Sequence, residues 1–103
     1  MKNYKRPKGK NDHKYTIYQY DGLTQYYRYG TLHREEGPAY IDNTSEHKIY
    51  YRYGTKHRAD GPAEIIGDET DFYLKGIRYD FSSWITKTDA PDDVKAHLIL
   101  LYG

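Results

Sequence analysis

The stretch that decides the fold is YYRYGTLHREEGPAYI at residues 26–41, because it recurs 24 residues later as YYRYGTKHRADGPAEI at residues 50–65. These are copy 1 and copy 2, and twelve of their sixteen aligned positions are identical. A weaker copy 3 begins at residue 72 (FYLKGIRY), and a half copy at residues 15–22 (YTIYQYDG) precedes copy 1. Terminal units of a stacked array are usually atypical because they cap it, so the pattern indicates an array of stacked repeats.

Each copy has the composition of short strands separated by turns. Tyrosine-rich segments with period-two alternation favour β structure, and glycine accepts the positive φ of tight turns. Pro38 and Pro62 cannot donate to a ladder, so each should begin a strand or lie on an edge. The predicted fold class is mainly β, an antiparallel meander of hairpin repeats of about 24 residues with a short C-terminal helical cap. The predicted strands are 15–20, 23–29, 31–34, 38–42, 47–53, 55–58, 62–66, 70–75 and 77–79.

The C-terminal part changes character and predicts two helices. Residues 80–87 indicate a short helix with Asp80 as its N-cap. Residues 89–102 indicate a second helix, with proline and acidic residues in its first turn and Gly103 as its C-cap. The apolar residues expected to cover one end or face of the sheet are Trp84, Val94, Leu98 and Leu101.

Charge is unevenly distributed along a chain whose net charge is +1. Residues 1–14 carry six Lys/Arg and one Asp, whereas residues 60–103 carry four basic and nine acidic residues. We therefore predict one domain made of a basic flexible arm (1–14), a β-repeat sheet (15–79) and a C-terminal helical segment (80–103). The acidic C-terminal part would repel a polyanion, so any nucleic-acid contact from charge alone would fall to the arm.

Several classes of function lack their signatures in this sequence. The chain has no Cys, its five His avoid the usual metal-ligand spacings, and it has neither a phosphate-binding loop nor a nucleophile elbow. We therefore expect no metal, no cofactor and no catalytic residue. No apolar run reaches the ~18 residues of a membrane span, and the N-terminus lacks the apolar stretch of a secretory signal. These features predict a cytoplasmic protein with no membrane contact.

The repeat motif resembles a known pattern. Tyr-Gly-Thr-Leu-His-Arg-Glu-Glu-Gly-Pro-Ala at residues 29–39 is similar to the aromatic, His-Arg-Glu-Asp-Gly-Pro-Ala type hairpin repeats of small phage and bacterial proteins of uncharacterised function, which are MORN-like in style. The resemblance covers residues 15–87. It departs at Glu36, where Asp is commoner, and in copy 3, which lacks the His-Arg and Gly-Pro pairs. The resemblance implies a β-repeat fold and a phage or prophage origin, hence a bacterial host, and it implies no reaction.

The most conspicuous polar residues are two His-Arg pairs, His33-Arg34 and His57-Arg58. A functional interpretation makes the two pairs converge on a phosphate, as in a nuclease or phosphodiesterase. A structural interpretation makes the motif recur because one turn recurs, with arginine paired to Glu36 or Asp60. The second is favoured, because a catalytic residue needs to appear only once.

Tyrosine and arginine also alternate in each copy. Strand alternation places Tyr26 and Arg28 on one face, and the equal repeat length places Tyr50 and Arg52 on the same face. It places Tyr27 and Tyr29 on the opposite face. The predicted surface could stack a base and pair a phosphate, or it could be a cross-strand ladder that stabilises the sheet.

The leading functional hypothesis is a non-enzymatic binding module, a phage-encoded accessory protein that binds and inhibits a host protein, with a counter-defence role. The predicted partner-binding residues are Tyr26, Arg28, His33, Arg34, Tyr50, Arg52, His57 and Arg58. The alternative is a protein that binds or sequesters a nucleotide or nucleic acid with the same Tyr/Arg/His surface, and exposed edge strands could pair with a second copy to form a homo-oligomer.

Overall fold

Antiparallel strands dominate the structure, a computed structural model that describes residues 9–11 and 14–103. The strands are β1 (Gly9–Asn11), β2 (Thr16–Tyr20), β3 (Leu23–Arg28), β4 (Thr31–Leu32), β5 (Tyr40–Asp42), β6 (His47–Ile49), β7 (Tyr51–Arg52), β8 (Thr55–Lys56), β9 (Glu64–Ile66), β10 (Glu69–Leu74) and β11 (Ile77–Tyr79). The helices are α1 (Phe81–Lys87) and α2 (Asp92–Tyr102). The predicted fold class, an antiparallel meander with a C-terminal helical cap, is confirmed. The predicted strand 47–53 is interrupted at Tyr50 and forms β6 and β7.

The meander builds one long sheet with a row of hairpins at its side. The sheet has the order β1-β2-β3-β5-β6-β9-β10-β11, with β4 pairing to β3, and β7 and β8 form a separate hairpin. β5 and β9 begin two residues after Pro38 and Pro62. The prolines thus lie outside the hydrogen-bonded ladder, as a residue without an N–H requires.

Among the described residues, four hairpins turn through the same two-residue conformation. One is Asp21-Gly22, with φ of 46° and 82°. The other three lie in copies 1 to 3 and are Tyr29-Gly30, Tyr53-Gly54 and Lys75-Gly76, with φ of 52° and 79°, 49° and 82°, and 52° and 83°. Two successive left-handed residues define the type I′ hairpin turn, whose second position favours glycine. The Gly54 N–H donates to Leu32 O at 2.7 Å and the Gly76 N–H to Lys56 O at 2.8 Å, so the tips of copies 2 and 3 are hydrogen-bonded to the preceding hairpin. We call Tyr29, Tyr53 and Lys75 the tip row.

The main core lies where the helices cover the last strands. Phe72, Trp84 and Leu98 are its buried residues, and the Asp80 carboxylate accepts the Ser83 N–H at 2.9 Å as the predicted N-cap of α1. The residues packed around this core are Leu74, Tyr79, Phe81, Ile85 and Val94.

One predicted core residue is wrong. Leu101 is 59% exposed, because the side of α2 that faces the core carries Leu98, which is buried, and Tyr102, one turn later, which contacts the core although it is itself 36% exposed. Tyr102 packs edge-on against Phe72, with ring centroids 5.2 Å apart, and Leu101 falls to one side of that stripe.

The N-terminal arm is described only in part. Gly9–Asn11 form β1, which pairs antiparallel with Thr16–Tyr18 of β2. The rest of the predicted arm before Lys14, residues 1–8, 12 and 13, lies outside the described residues. Within the described part of the chain, no helix has the length and apolar character to cross a membrane.

Candidate functional site

The two recurring histidines join successive copies. His33 is fully buried, and its Nδ1 accepts the backbone N–H of Tyr53 at 2.9 Å. His57 Nδ1 accepts the backbone N–H of Lys75, also at 2.9 Å. Because Nδ1 is the acceptor in both contacts, the neutral ring carries its proton on Nε2. Each histidine therefore fixes the tip that follows it and presents an Nε2–H donor.

The two recurring arginines close the Gly-Pro loops. Arg34 Nη1 donates to Pro38 O at 3.2 Å, and Arg58 Nη1 donates to Pro62 O at 3.1 Å. A Cβ added at Gly61 would lie 2.7 Å from the Arg58 guanidinium carbon, so the Arg58 side chain would have to move to admit one. These contacts explain why His-Arg-x-x-Gly-Pro recurs, and they support the structural interpretation of the His-Arg pairs.

Tyr26 and Tyr50 lie beneath the same arginines. The guanidinium carbon of Arg34 is 3.9 Å from the centroid of the Tyr26 ring, and that of Arg58 is 4.0 Å from Tyr50. Cation–π contacts at this distance stabilise the loop and occupy one face of each ring. The tyrosines predicted to form a stacking surface therefore have an internal partner.

Arg28 of the predicted surface lies beside a different tyrosine from the one expected. Arg28 lies over Tyr29, with its guanidinium carbon 5.1 Å from the ring centroid. Strand alternation assigned these two residues to opposite faces, and that assignment is wrong because the positive φ of Tyr29 ends the strand geometry. The sequence signal for this was present: a Tyr-Gly pair occupies a hairpin turn that usually carries Asn-Gly or Asp-Gly.

The exposed surface at the tips is aromatic and ordered. The Tyr29 and Tyr53 rings are parallel within 7°, with centroids 6.5 Å apart, and Tyr53 stacks on His33 at 3.9 Å. Tyr29 is 81% exposed and Tyr53 is 50% exposed. Offset stacking of this kind fixes ring orientation, so the tip row is a pre-arranged surface rather than a set of mobile side chains.

Copy 1 has a carboxylate beneath its tip. Glu35 Oε2 lies 3.3 Å from His33 Nε2 and 3.7 Å from Arg28 Nη1, while Glu35 Oε1 lies 3.6 Å from Lys14 Nζ. The hydrogen bond with His33, together with the nearby ammonium of Lys14, lowers the pKa of Glu35. The carboxylate thus neutralises the positive groups of copy 1.

Copy 2 lacks that carboxylate, since Ala59 stands at the position of Glu35. Arg52 is exposed and makes no ion pair or hydrogen bond with any residue that the structure describes. Burial, and then the charge of Arg52, lower the pKa of His57, an effect that Asp89 partly opposes. The positive groups of copy 2 therefore face solvent without an internal counterion at the equivalent position.

A cavity of about 360 Å³ opens at copy 2. We call it the copy-2 slot, and its lining residues are Arg52, Thr55, His57 and Lys75. In copy 1 the Tyr53 ring covers His33 at the corresponding place, whereas in copy 2 the tip residue is Lys75. A lysine gives the slot a second cation and leaves it without an aromatic cover.

A second cluster of charges lies on the sheet and has a structural role. Glu64, 11% exposed, receives His47 Nε2 at 2.7 Å on one oxygen and Lys56 Nζ at 2.6 Å on the other. Burial raises the pKa of Glu64, but the hydrogen bonds from Lys56 and His47 outweigh it, so the net shift is downward. Both oxygens of the Glu64 carboxylate are therefore hydrogen-bonded within the protein, as expected of a structural ion cluster.

Metal ligands do not converge in the part of the chain that the structure describes: no group of three or more His, Asp or Glu side chains is placed to hold a metal ion. No protein-family model, curated protein or solved structure matches the chain. The resemblance to phage-type hairpin repeats therefore stays a prediction based on the repeat motif.

Proposed function

We propose that this chain is a non-enzymatic binding module that docks its tip row on another protein. The observation that supports this most directly is the exposed, stacked pair Tyr29 and Tyr53, with Arg28 over one ring. The phage-type resemblance extends the proposal: the partner is a host protein in the bacterial cytoplasm, a component of host defence, and binding inhibits it.

Tyrosine and arginine suit this role for energetic reasons. They are enriched among the residues that dominate binding energy, and a tyrosine ring loses little conformational entropy because it has only two side-chain torsions. Here the rings are already stacked, and the Tyr53 backbone is fixed by its hydrogen bond to His33 of the preceding hairpin. A partner would therefore meet a surface that needs little reordering.

A pull-down from host lysate tests the proposal, with Tyr29→Ser as the tip variant. Leu100→Ser is the matched control, because Leu100 is an equally exposed large side chain (84%) on α2, away from the tips. We expect a stoichiometric partner on the wild type and on the control, and its loss on Tyr29→Ser. Equal recovery on all three, or no partner on any, contradicts docking through the tip row.

The alternative function is nucleotide or nucleic-acid binding, and the copy-2 slot with its two cations is the observation that favours it. A base could stack on the outer face of Tyr29, since Tyr53 and His33 cover the rest of the aromatic row. A thermal-shift panel of nucleotides tests it: a shift that Arg28→Ala with Arg52→Ala abolishes supports this function. No shift with any nucleotide removes it.

A further inference from the structure

Copy 2 repeats the site of copy 1 with two groups removed. The backbone is the same: His57 Nδ1 accepts the Lys75 N–H at 2.9 Å, as His33 accepts the Tyr53 N–H. Arg52 stands where Arg28 stands in copy 1. The missing groups are the carboxylate of Glu35, replaced by Ala59, and the ring of Tyr53, replaced by Lys75.

The group that His33 and Arg28 contact in copy 1, the Glu35 carboxylate, therefore shows which kind of ligand these donors bind. In copy 1 the Nε2 of the buried histidine and the guanidinium both approach one carboxylate, at 3.3 Å and 3.7 Å. In copy 2 the same tautomer puts a hydrogen on His57 Nε2, and the Arg52 guanidinium is exposed. Hydrogen bonds from charged donors to a carboxylate are stronger than neutral ones.

We propose that the copy-2 slot binds an Asp or Glu side chain of the partner protein. The inference rests on the proposed function, because it names the chemistry of the segment that docks beside the tip row. The partner's carboxylate takes the place that Glu35 fills in copy 1, between His57 Nε2 and Arg52. Lys75 adds an ammonium group that copy 1 lacks and that favours an anion.

The surroundings of the slot restrict what enters it. The adjoining groove is lined by His57, Arg52 and Ala59 and by four acidic residues, Glu35, Glu36, Asp60 and Asp89. Arg58 pairs with Asp60 at 2.9 Å, and Lys14 pairs with Glu35 and Glu36, so Asp89 is the acidic residue of the groove whose charge acts on His57 and opposes an incoming anion. Neither Asp lines the slot itself. Removing the Asp89 charge should therefore strengthen carboxylate binding.

An NMR titration of the ¹⁵N-labelled full chain tests the proposal. The probes are the capped peptide acetyl-Glu-Tyr-Glu-amide, its neutral match acetyl-Gln-Tyr-Gln-amide, and inorganic phosphate. We expect saturable shifts of the Lys75 amide and the His57 ring nitrogens with the Glu peptide, and at least tenfold weaker binding of the Gln peptide. Equal binding of the two peptides overturns the proposal, and so does saturation of the slot by phosphate at lower concentration than the Glu peptide.

Ala59→Glu is the decisive variant because it installs the internal carboxylate of copy 1 in copy 2. The carbonyl of Ala59 accepts a hydrogen bond from the Thr88 hydroxyl, which holds the backbone in place for the new side chain. We expect Ala59→Glu and Arg52→Gln each to weaken the Glu peptide at least tenfold. Lys48→Gln, which removes an exposed cation on the sheet strand β6, should bind as the wild type does.

Wild-type affinity in Ala59→Glu and in Arg52→Gln overturns the proposal. Arg52→Gln keeps the test valid if the first variant fails to fold, since Arg52 has no internal partner among the described residues. The two proposals fail separately. If the Glu peptide does not bind but recovery of the pull-down partner still depends on Tyr29, only the carboxylate site is refuted. If the Glu peptide binds specifically but the partner is recovered equally with Tyr29→Ser, only docking through the tip row is refuted.

Discussion

The ion cluster at Glu64 gives a prediction whose magnitude follows from burial. Lys56→Leu removes the partner at 2.6 Å and leaves a carboxylate that is 11% exposed with His47 alone. Breaking a fully buried pair costs about 3–5 kcal/mol. Here Lys56 is 30% exposed and His47 remains, so we expect about 1–3 kcal/mol, the cost of an unsatisfied polar group. In a domain of this size that lowers Tm by roughly 4–8 °C per kcal/mol.

The repeat supplies a matched control for this change. Copy 1 has Leu32 and Tyr40 where copy 2 has Lys56 and Glu64. The double variant Lys56→Leu with Glu64→Tyr therefore copies a pair that the same backbone already accepts. We expect its free energy of unfolding to lie within about 1 kcal/mol of the wild type, because replacing both members of an ion pair is often neutral.

Urea denaturation followed by circular dichroism measures the wild type, the two single variants Lys56→Leu and Glu64→Tyr, and the double variant in a double-mutant cycle.

The direction in which pH changes the free energy of unfolding also follows from this ion cluster. Because the folded pKa of Glu64 is lowered, its contribution is present above the unfolded value of 4.5 and is lost as pH falls through the folded pKa. Lys56→Leu should make that loss smaller. The reasoning fails if Lys56→Leu alone is as stable as the wild type, or if the double variant is less stable than either single one.

Three further predictions concern separate contacts. Gly61→Ala should cost about 1–3 kcal/mol in urea denaturation, because its Cβ would lie 2.7 Å from the Arg58 guanidinium carbon. Hydrogen bonding, first from Lys14, lowers the pKa of Glu36 to about 2. The difference in unfolding free energy between the wild type and Glu36→Gln should therefore shrink as the pH falls from 4.5 towards 2, and added salt should make this change smaller. Trp84→Ala should cost about 3–5 kcal/mol, and Trp84→Phe clearly less, because the buried Trp84 Nε1 has no hydrogen-bond partner among the residues that the structure describes.

Each of these has an outcome that contradicts it. Wild-type stability of Gly61→Ala would mean that the Arg58 side chain moves away without cost. A pH-independent difference for Glu36→Gln would mean that its carboxyl titrates normally in the folded chain. Equal losses for the two Trp84 variants would mean that the indole N–H has a partner.

The architecture could be predicted because the same motif occurs twice in the sequence. Identical turn and strand residues at a 24-residue spacing identify the hairpin as the repeating unit, and Asp80 is the N-cap that marks the start of the first helix. Two predictions were wrong, the sheet face of Tyr29 and the core contact of Leu101, because strand alternation and the helical apolar pattern were applied where they do not hold. Alternation does not continue through Tyr29, which has positive φ, and Leu101 fits the apolar pattern of α2 although Tyr102 is the residue that packs on Phe72.

The candidate site was less accessible to sequence reasoning. The two histidines were recognised, but their partners are in the next copy: the Tyr53 N–H donates to His33 and the Lys75 N–H donates to His57, across about 20 residues. Such contacts depend on how hairpins stack, which no local pattern specifies. Comparing the copies at their differing positions gives the missing signal, since Lys56 and Glu64 differ together and touch.

The bonds between hairpins have a consequence for the length of the molecule. The same donor-to-acceptor bonds, tip glycine N–H to carbonyl and tip backbone N–H to imidazole, join copy 1 to copy 2 and copy 2 to copy 3. Each internal unit therefore has acceptors for the next unit on one side and matching donors for the preceding unit on the other. A further 24-residue unit inserted between copies 1 and 2 could form the same bonds on both sides. The number of tips in such a protein can therefore grow by duplication, with one terminal helical cap at any length.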